Sequence, residues 1–279
     1  MIKSSTALKA RIKNKVGGDS DKSQLMLRVF FMERLLERIS VSRYKDNFIL
    51  KGGLLVSSLT GVDMRSTMDV DTTVRSIKLD KESAQVFLKE ILSIDLGDNV
   101  YFYITKVQEI MEGHEYEGIR VMIDCVLDKI SQIIKVDIST GDVITPGALE
   151  YKYPLIVEDR TIDIWVYNLE TLLAEKLETI MVRADSNTRM RDFYDIFILL
   201  RNRMSNIDQD IFKSAFLATC RQRKTEKLIE TIDNVIASIS VNKAMVAQWS
   251  NYKNNNYYVG ELSWNEVMES VRTLGRMAR

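Results

Sequence analysis

The chain reads as an α+β protein, with a mixed or antiparallel sheet and flanking helices in residues 1–168 and an all-helical domain in residues 169–279. Three observations predict this. The runs Val100–Ile110, Ile119–Leu127 and Ile130–Ile138 alternate apolar and polar residues and are rich in β-branched side chains, the pattern of an antiparallel meander with one buried face. Beyond Asn168, apolar residues recur at helical spacing through six segments. Only two of the 279 residues are proline and 46% are hydrophobic, which favours long helices and a sizeable core.

The elements follow in order. Residues 5–16 form a short basic helix with Leu8, Ile12 and Val16 on one stripe, and Gly17-Gly18-Asp19-Ser20 breaks it. The next helix, roughly 22–42, carries Leu25, Val29, Phe30, Phe31, Leu35, Leu36 and Ile39 and is apolar enough to be buried. Phe48-Ile49-Leu50 is a short strand or turn leading into Gly52-Gly53, and Leu54 to Leu59 is a helix ended by Gly61. Thr67 to Val74 is a strand whose Met68, Val70 and Thr72 point to a core. Residues 80–93 form an amphipathic helix with Ala84, Phe87, Leu88 and Ile91 inward. After the meander come edge strands near Tyr153–Ile156 and Ile162–Val166, then helices at 169–183, 190–202, 208–221, 225–238, 241–254 and 263–276. No internal repeat or low-complexity linker interrupts them. Tyr252-Lys253-Asn254-Asn255-Asn256-Tyr257-Tyr258 is either an ordinary helix–helix connection or a basic-aromatic loop on which bases stack.

Composition excludes several functions. Lys plus Arg and Asp plus Glu both total 39, which argues against a protein that coats nucleic acid non-specifically, although a local basic channel is compatible. Cys125 and Cys220 stand alone, so a reducing compartment is expected rather than a disulfide framework. His114, in a polar Glu-Gly-His-Glu turn, is the only histidine. That rules out zinc sites needing two and argues against a histidine-based triad. No apolar run approaches the roughly 18 residues a membrane span needs. Met1-Ile2-Lys3-Ser4-Ser5 lacks an apolar signal core, so a soluble, cytoplasmic protein is expected.

Four segments could carry chemistry. Asp69 and Asp71 lie one residue apart on a strand and project from one face, with Lys51, Gly52, Gly53, Arg65 and Thr67 before them. Two hard oxygen ligands beside a backbone that phosphate can approach form a layout for Mg²⁺ (or Mn²⁺) and a nucleoside triphosphate; the bland reading is a solvated strand end. In Ile133-Ile134-Lys135-Val136-Asp137-Ile138, Asp137 is either a third acid beside that pair, as metal ligand or general base, or half of a Lys135–Asp137 surface pair. Lys176 shares a helix face with Leu169, Leu172, Leu173 and Ile180, so its ammonium must snorkel outward or reach an internal anion such as a triphosphate. Asp192 and Asp195, three apart after Arg189 and Arg191, are helix neighbours, as a salt-bridged helix start also requires.

In this order the segments resemble the AbiEii/AbiGii-type toxins of the DNA polymerase β-like nucleotidyltransferase superfamily. The match runs over roughly residues 25–200: Gly52-Gly53 with Asp69 and Asp71, Lys135 with Asp137, Glu175-Lys176-Leu177, and Arg189 through Ile196. Arg191 stands where that family usually has lysine, Ile196 where it has leucine, and no serine follows Gly53. The resemblance implies a nucleotidyltransferase-like sheet domain and a helical domain that contributes to the active site. It also implies an NTP-dependent toxin of an abortive-infection system in phage defence, a cognate winged-helix antitoxin, and nucleotide transfer to a tRNA 3′ end. On that reading Asp69, Asp71 and Asp137 bind metal, Lys51, Gly52, Gly53, Arg65, Thr67 and Lys176 bind nucleotide, and Asp192 and Asp195 orient Lys176. Nucleotidylation of a protein side chain and NTP binding without turnover are the alternatives.

Overall fold

A computed structural model describes residues 1–61, 67, 69–112 and 116–279; Arg65, Met68 and His114 lie outside the described residues. The chain divides into two compact units. The first comprises Met1–Ser58, Thr67–Asp142 and Leu149–Val166, and the second is built mainly from Tyr167–Arg279 with Val143–Ala148.

The first unit is a seven-stranded mixed sheet. Its strands are β1 (Phe48–Lys51), β2 (Asp69–Val74), β3 (Val100–Glu112), β4 (Tyr116–Leu127), β5 (Ile130–Thr140), β6 (Leu149–Pro154) and β7 (Thr161–Val166), in the order β3-β4-β5-β2-β1-β7-β6. The meander β3-β4-β5 is antiparallel, as its alternation predicts. β2 runs parallel to β5, which makes the sheet mixed. One feature departs from the sequence reading: β7 is an inner strand, parallel to β1, with β6 alone at that edge. Ile162, Ile164 and Val166 are all buried, as suits a strand flanked on both sides.

Helices α1 (Ser5–Val16), α2 (Ser20–Val41), α3 (Gly52–Thr60) and α4 (Lys81–Leu92) accompany the sheet. α1 ends where Gly17 takes a left-handed conformation, and α4 begins with a reciprocal Asp80–Ser83 capping box. α2 packs against β5 and β7 and is buried on nearly every side, charged residues included. Arg38 forms two 2.9 Å bonds to the Asp98 carboxylate and lies over the Phe102 ring. Arg34 sits between Glu37 and Glu158. These pairs let a helix with charges on its inner faces be buried without stranding an ion.

The second unit is helical: α5 (Leu169–Arg183), α6 (Met190–Arg203), α7 (Gln209–Gln222), α8 (Leu228–Val241), α9 (Lys243–Asn254) and α10 (Trp264–Met277). Asn168 caps α5 by accepting from the Thr171 N–H at 2.7 Å, and a Ser263–Glu266 capping box opens α10. Phe193, Trp249 and Trp264 form an aromatic core. The 252–258 loop belongs to that packing: Tyr252 lies against Trp249, Tyr258 meets Tyr194 edge-on, and the Tyr252 and Tyr258 hydroxyls are 2.9 Å apart. Tyr257 meets Tyr258 edge-on as well, so all three tyrosines take part in packing, although Tyr257 stays half exposed. No helix among the described residues is long and apolar enough to cross a membrane.

Candidate active site

In the first unit the site is a set of rows across one sheet face. Register aligns Lys51 with Asp71, Asp71 with Asp137, Asp137 with Arg120 and Arg120 with Gln108, so one row crosses five strands with its side chains on a common face. The next row aligns Asp69, Lys135, Met122 and Lys106. Between them Val70 and Val136 point to the core and are fully buried. The alternation expected for Asp69 and Asp71 is therefore present, and parallel pairing sets Asp137 beside Asp71.

Each acid has a protein partner. Asp137 is gripped by the Arg120 guanidinium through Nε at 2.8 Å and Nη2 at 2.7 Å. Lys135 reaches Asp69 at 2.6 Å, so the local Lys135–Asp137 pair is replaced by two cross-strand pairs. The Asp71 carboxylate accepts the Gly53 N–H at 3.3 Å. Gly52 starts α3 at φ +63°, and a Cβ there would fall 2.1 Å from Asp71 Oδ2. The glycine pair is thus fitted to Asp71. Thr67 is buried and donates to the Asp69 carbonyl at 3.3 Å.

Lys51 is also buried and donates to Asp142 Oδ2 at 2.7 Å. Burial would raise the Asp142 carboxyl, but Lys51, with Ser139 and Thr73 as donors, outweighs it and holds the group near about 2. Sequence reading missed both Asp142 and Arg120. Arg120 had a signal, since it is polar on the outward-facing set of β4 opposite buried Ile119 and Val121, but its partner depends on register.

Among the described residues, no group of three or more His, Cys, Asp or Glu side chains is arranged to hold a metal ion. The three-carboxylate set Asp69, Asp71 and Asp137 is not assembled, because Arg120 occupies the third member. Asp69 and Asp71 still offer the one or two carboxylates that Mg²⁺ takes from protein when phosphate oxygens complete its shell.

In the second unit Lys176 is buried and finds its internal anions within the protein, donating to Asp192 Oδ1 at 3.0 Å and Asp195 Oδ2 at 2.6 Å. Arg189 Nε adds a 2.8 Å bond to Asp192 Oδ2. Burial pushes the Asp192 carboxyl up, but Lys176 and Arg189 pull it down to about 2. This α5–α6 clamp joins the three residues that the sequence grouped.

Among solved structures, one from H. pylori described as a candidate nucleotidyltransferase has a TM-score of 0.51 at 13% identity, covering 91% of this chain and 96% of that one. At that identity the likeness speaks for the fold alone. JHP933 from Helicobacter pylori has a TM-score of 0.49 at 13% identity, covering 91% and 93%. No curated protein matches. A family model for the nucleotidyl transferase AbiEii toxin of type IV toxin–antitoxin systems matches residues 34–270, most of the chain. With that match and the mixed sheet bearing paired aspartates, the chain belongs to the AbiEii nucleotidyltransferase toxin family.

Proposed function

We propose that the protein is an Mg²⁺-dependent nucleotidyltransferase that moves a nucleotide from an NTP to the 3′-hydroxyl of an RNA, first of all a tRNA end, and so blocks translation. It would work in the cytoplasm, restrained by a cognate winged-helix antitoxin, as part of phage defence. The carrying observation is the fit of Gly52 against Asp71, which sets a strand carboxylate against the backbone at the start of α3. Asp69 and Asp71 would hold the metal, which when bound supplies charge neutralisation at the triphosphate. The α3 N-terminus offers a favourable dipole for phosphate oxygens beside the Gly53–Asp71 contact. Arg120 and Lys135 supply further positive charge on the same face.

The acceptor oxygen attacks the α-phosphorus in line, and the bond to the bridging oxygen breaks with loss of pyrophosphate. Asp137 takes the acceptor proton once Arg120 turns to phosphate. Lys51 and Thr67 act as positioning residues, Lys51 braced by Asp142 and Thr67 bonded to the Asp69 backbone. Lys176, oriented by Asp192 and Asp195, is assigned as a phosphate-neutralising cation, and its own variant tests that role.

The test is incubation with each labelled NTP and Mg²⁺, followed by separation of RNA and protein. Wild type should label RNA 3′ ends, and Asp71→Asn should lower labelling by at least about 1,000-fold, the scale expected when transition-state charge loses its counter-ion. Label confined to protein would instead establish side-chain nucleotidylation. NTP binding with no transfer in wild type would establish a binding module.

A further inference from the structure

The sheet face that carries the aspartates continues beyond them. Past the Asp69–Lys135–Met122–Lys106 row, register aligns Ile133, Asp124 and Tyr103, and then Ser131, Val126 and Tyr101. Tyr101 and Tyr103 are 60% and 57% exposed and Ile133 is 55% exposed, the most open large hydrophobic side chains among the described residues of the meander. The opposite face of the same strands is core, with Val121, Ile123, Cys125 and Ile134 fully buried.

The geometry points to this outer face of β3–β5 as the seat of a single-stranded RNA end, with one base held between Tyr101 and Tyr103. The inference rests on the RNA-acceptor reading above. Residues i and i+2 of a strand share a face about 7 Å apart. That is about twice the 3.4 Å rise of stacked bases, so two rings on that spacing leave room for one base between them. Stacking of bases on sheet-borne aromatics suits unpaired strands, whose base faces are open, and tolerates any sequence.

Charge on the face also suits a phosphate backbone. Exposed Lys106 and partly exposed Lys135 and Arg120 lie between the tyrosines and the carboxylates. The acid within the tyrosine rows, Asp124, is engaged at 2.6 Å by the Ser131 hydroxyl. From Tyr103 to Asp69 the path crosses three inter-strand spacings and one row, about 16 Å in all, a reach of a few nucleotides. A terminal hydroxyl at the aspartates and a base between the tyrosines can therefore belong to one strand. The basic-aromatic signal of residues 252–258 is thus moved to β3, where the tyrosines are open.

The test uses the full chain and a single-stranded oligonucleotide with an acceptor-like 3′ end and one 5-bromouridine a few positions inward. Irradiation should place the cross-link on the peptide containing Tyr101 and Tyr103. Tyr101→Ala with Tyr103→Ala should lower kcat/KM for RNA labelling at least 10-fold, mainly through KM, with Mg²⁺–NTP binding unchanged. The corresponding double phenylalanine variant should retain labelling. If the double alanine variant does not fold, Lys106→Glu should show a several-fold rise in KM that steepens with salt. Wild-type labelling by the folded alanine variant, or cross-links only within residues 252–258, overturns the inference while leaving the proposed activity intact. Failure of wild type to label any RNA removes the activity reading first and this one with it.

Discussion

Gly52 and Asp71 share a space that admits one side chain. At φ +63°, with a Cβ position 2.1 Å from the Asp71 carboxylate, Gly52→Ala has to displace the acid or the start of α3. The expected outcome is loss of transfer by at least about 100-fold, with a stability cost of about 1–3 kcal/mol, checked by labelling and by denaturant midpoint. This much was legible in the sequence, because a glycine pair before Asp-x-Asp implies a close backbone approach and strand alternation puts both acids on one face. What the close approach serves was not legible: the glycines meet Asp71 itself. Arg120 and Asp142 were also hidden, since each acts through a partner distant in sequence, Asp137 in one case and Lys51 in the other.

Between elements, the informative joints are the parallel β2–β5 pairing and the α5–α6 clamp. Lys135 and Asp137 share a face on one strand, so a local ion pair was a sound expectation. It loses because neighbours across the sheet are closer than neighbours along it. β7 was misplaced at an edge for a related reason: its alternation is visible, but its parallel partner lies more than a hundred residues earlier. In the clamp, Lys176 is the cation shared by two buried carboxylates, so Lys176→Met removes that shared charge and leaves Asp192 with Arg189. Stability should fall by about 3–5 kcal/mol in urea. Adding Asp192→Asn and Asp195→Asn should recover part of that loss, as expected when the penalty is uncompensated charge. Activity restored along with stability in the triple variant would remove Lys176 from phosphate handling.

For the whole molecule, the helix-and-sheet order and the start of the helical half were legible from periodicity, whereas the charged interior of α2 was not, because a buried ion looks like a surface residue until its partner is known. Glu33 makes that interior pH-sensitive. Burial raises its carboxyl to about 8, although the Ile156 and Val157 N–H groups oppose the shift. Its ordinary value is 4.5, so between about pH 4.5 and 8 the unfolded chain releases a proton that the folded chain keeps. Stability should therefore fall as pH rises through that window, by up to about 1.4 kcal/mol per pH unit. Glu33→Gln should flatten this dependence in melts at pH 5 and 8, and a single histidine leaves few competing sources in the range. The ion pairs on the sheet face have a different kind of consequence. Lys135 on Asp69 and Arg120 on Asp137 make the resting surface its own counter-ion; on the proposed function, Asp69 would hold the metal only when the Lys135 ammonium has left it, and that ammonium would then be free for phosphate. Metal and triphosphate should therefore each bind weakly alone and tightly together. Calorimetry should show reciprocal synergy of about 1–3 kcal/mol that Lys135→Met diminishes, so that nucleotide supply would govern metal loading.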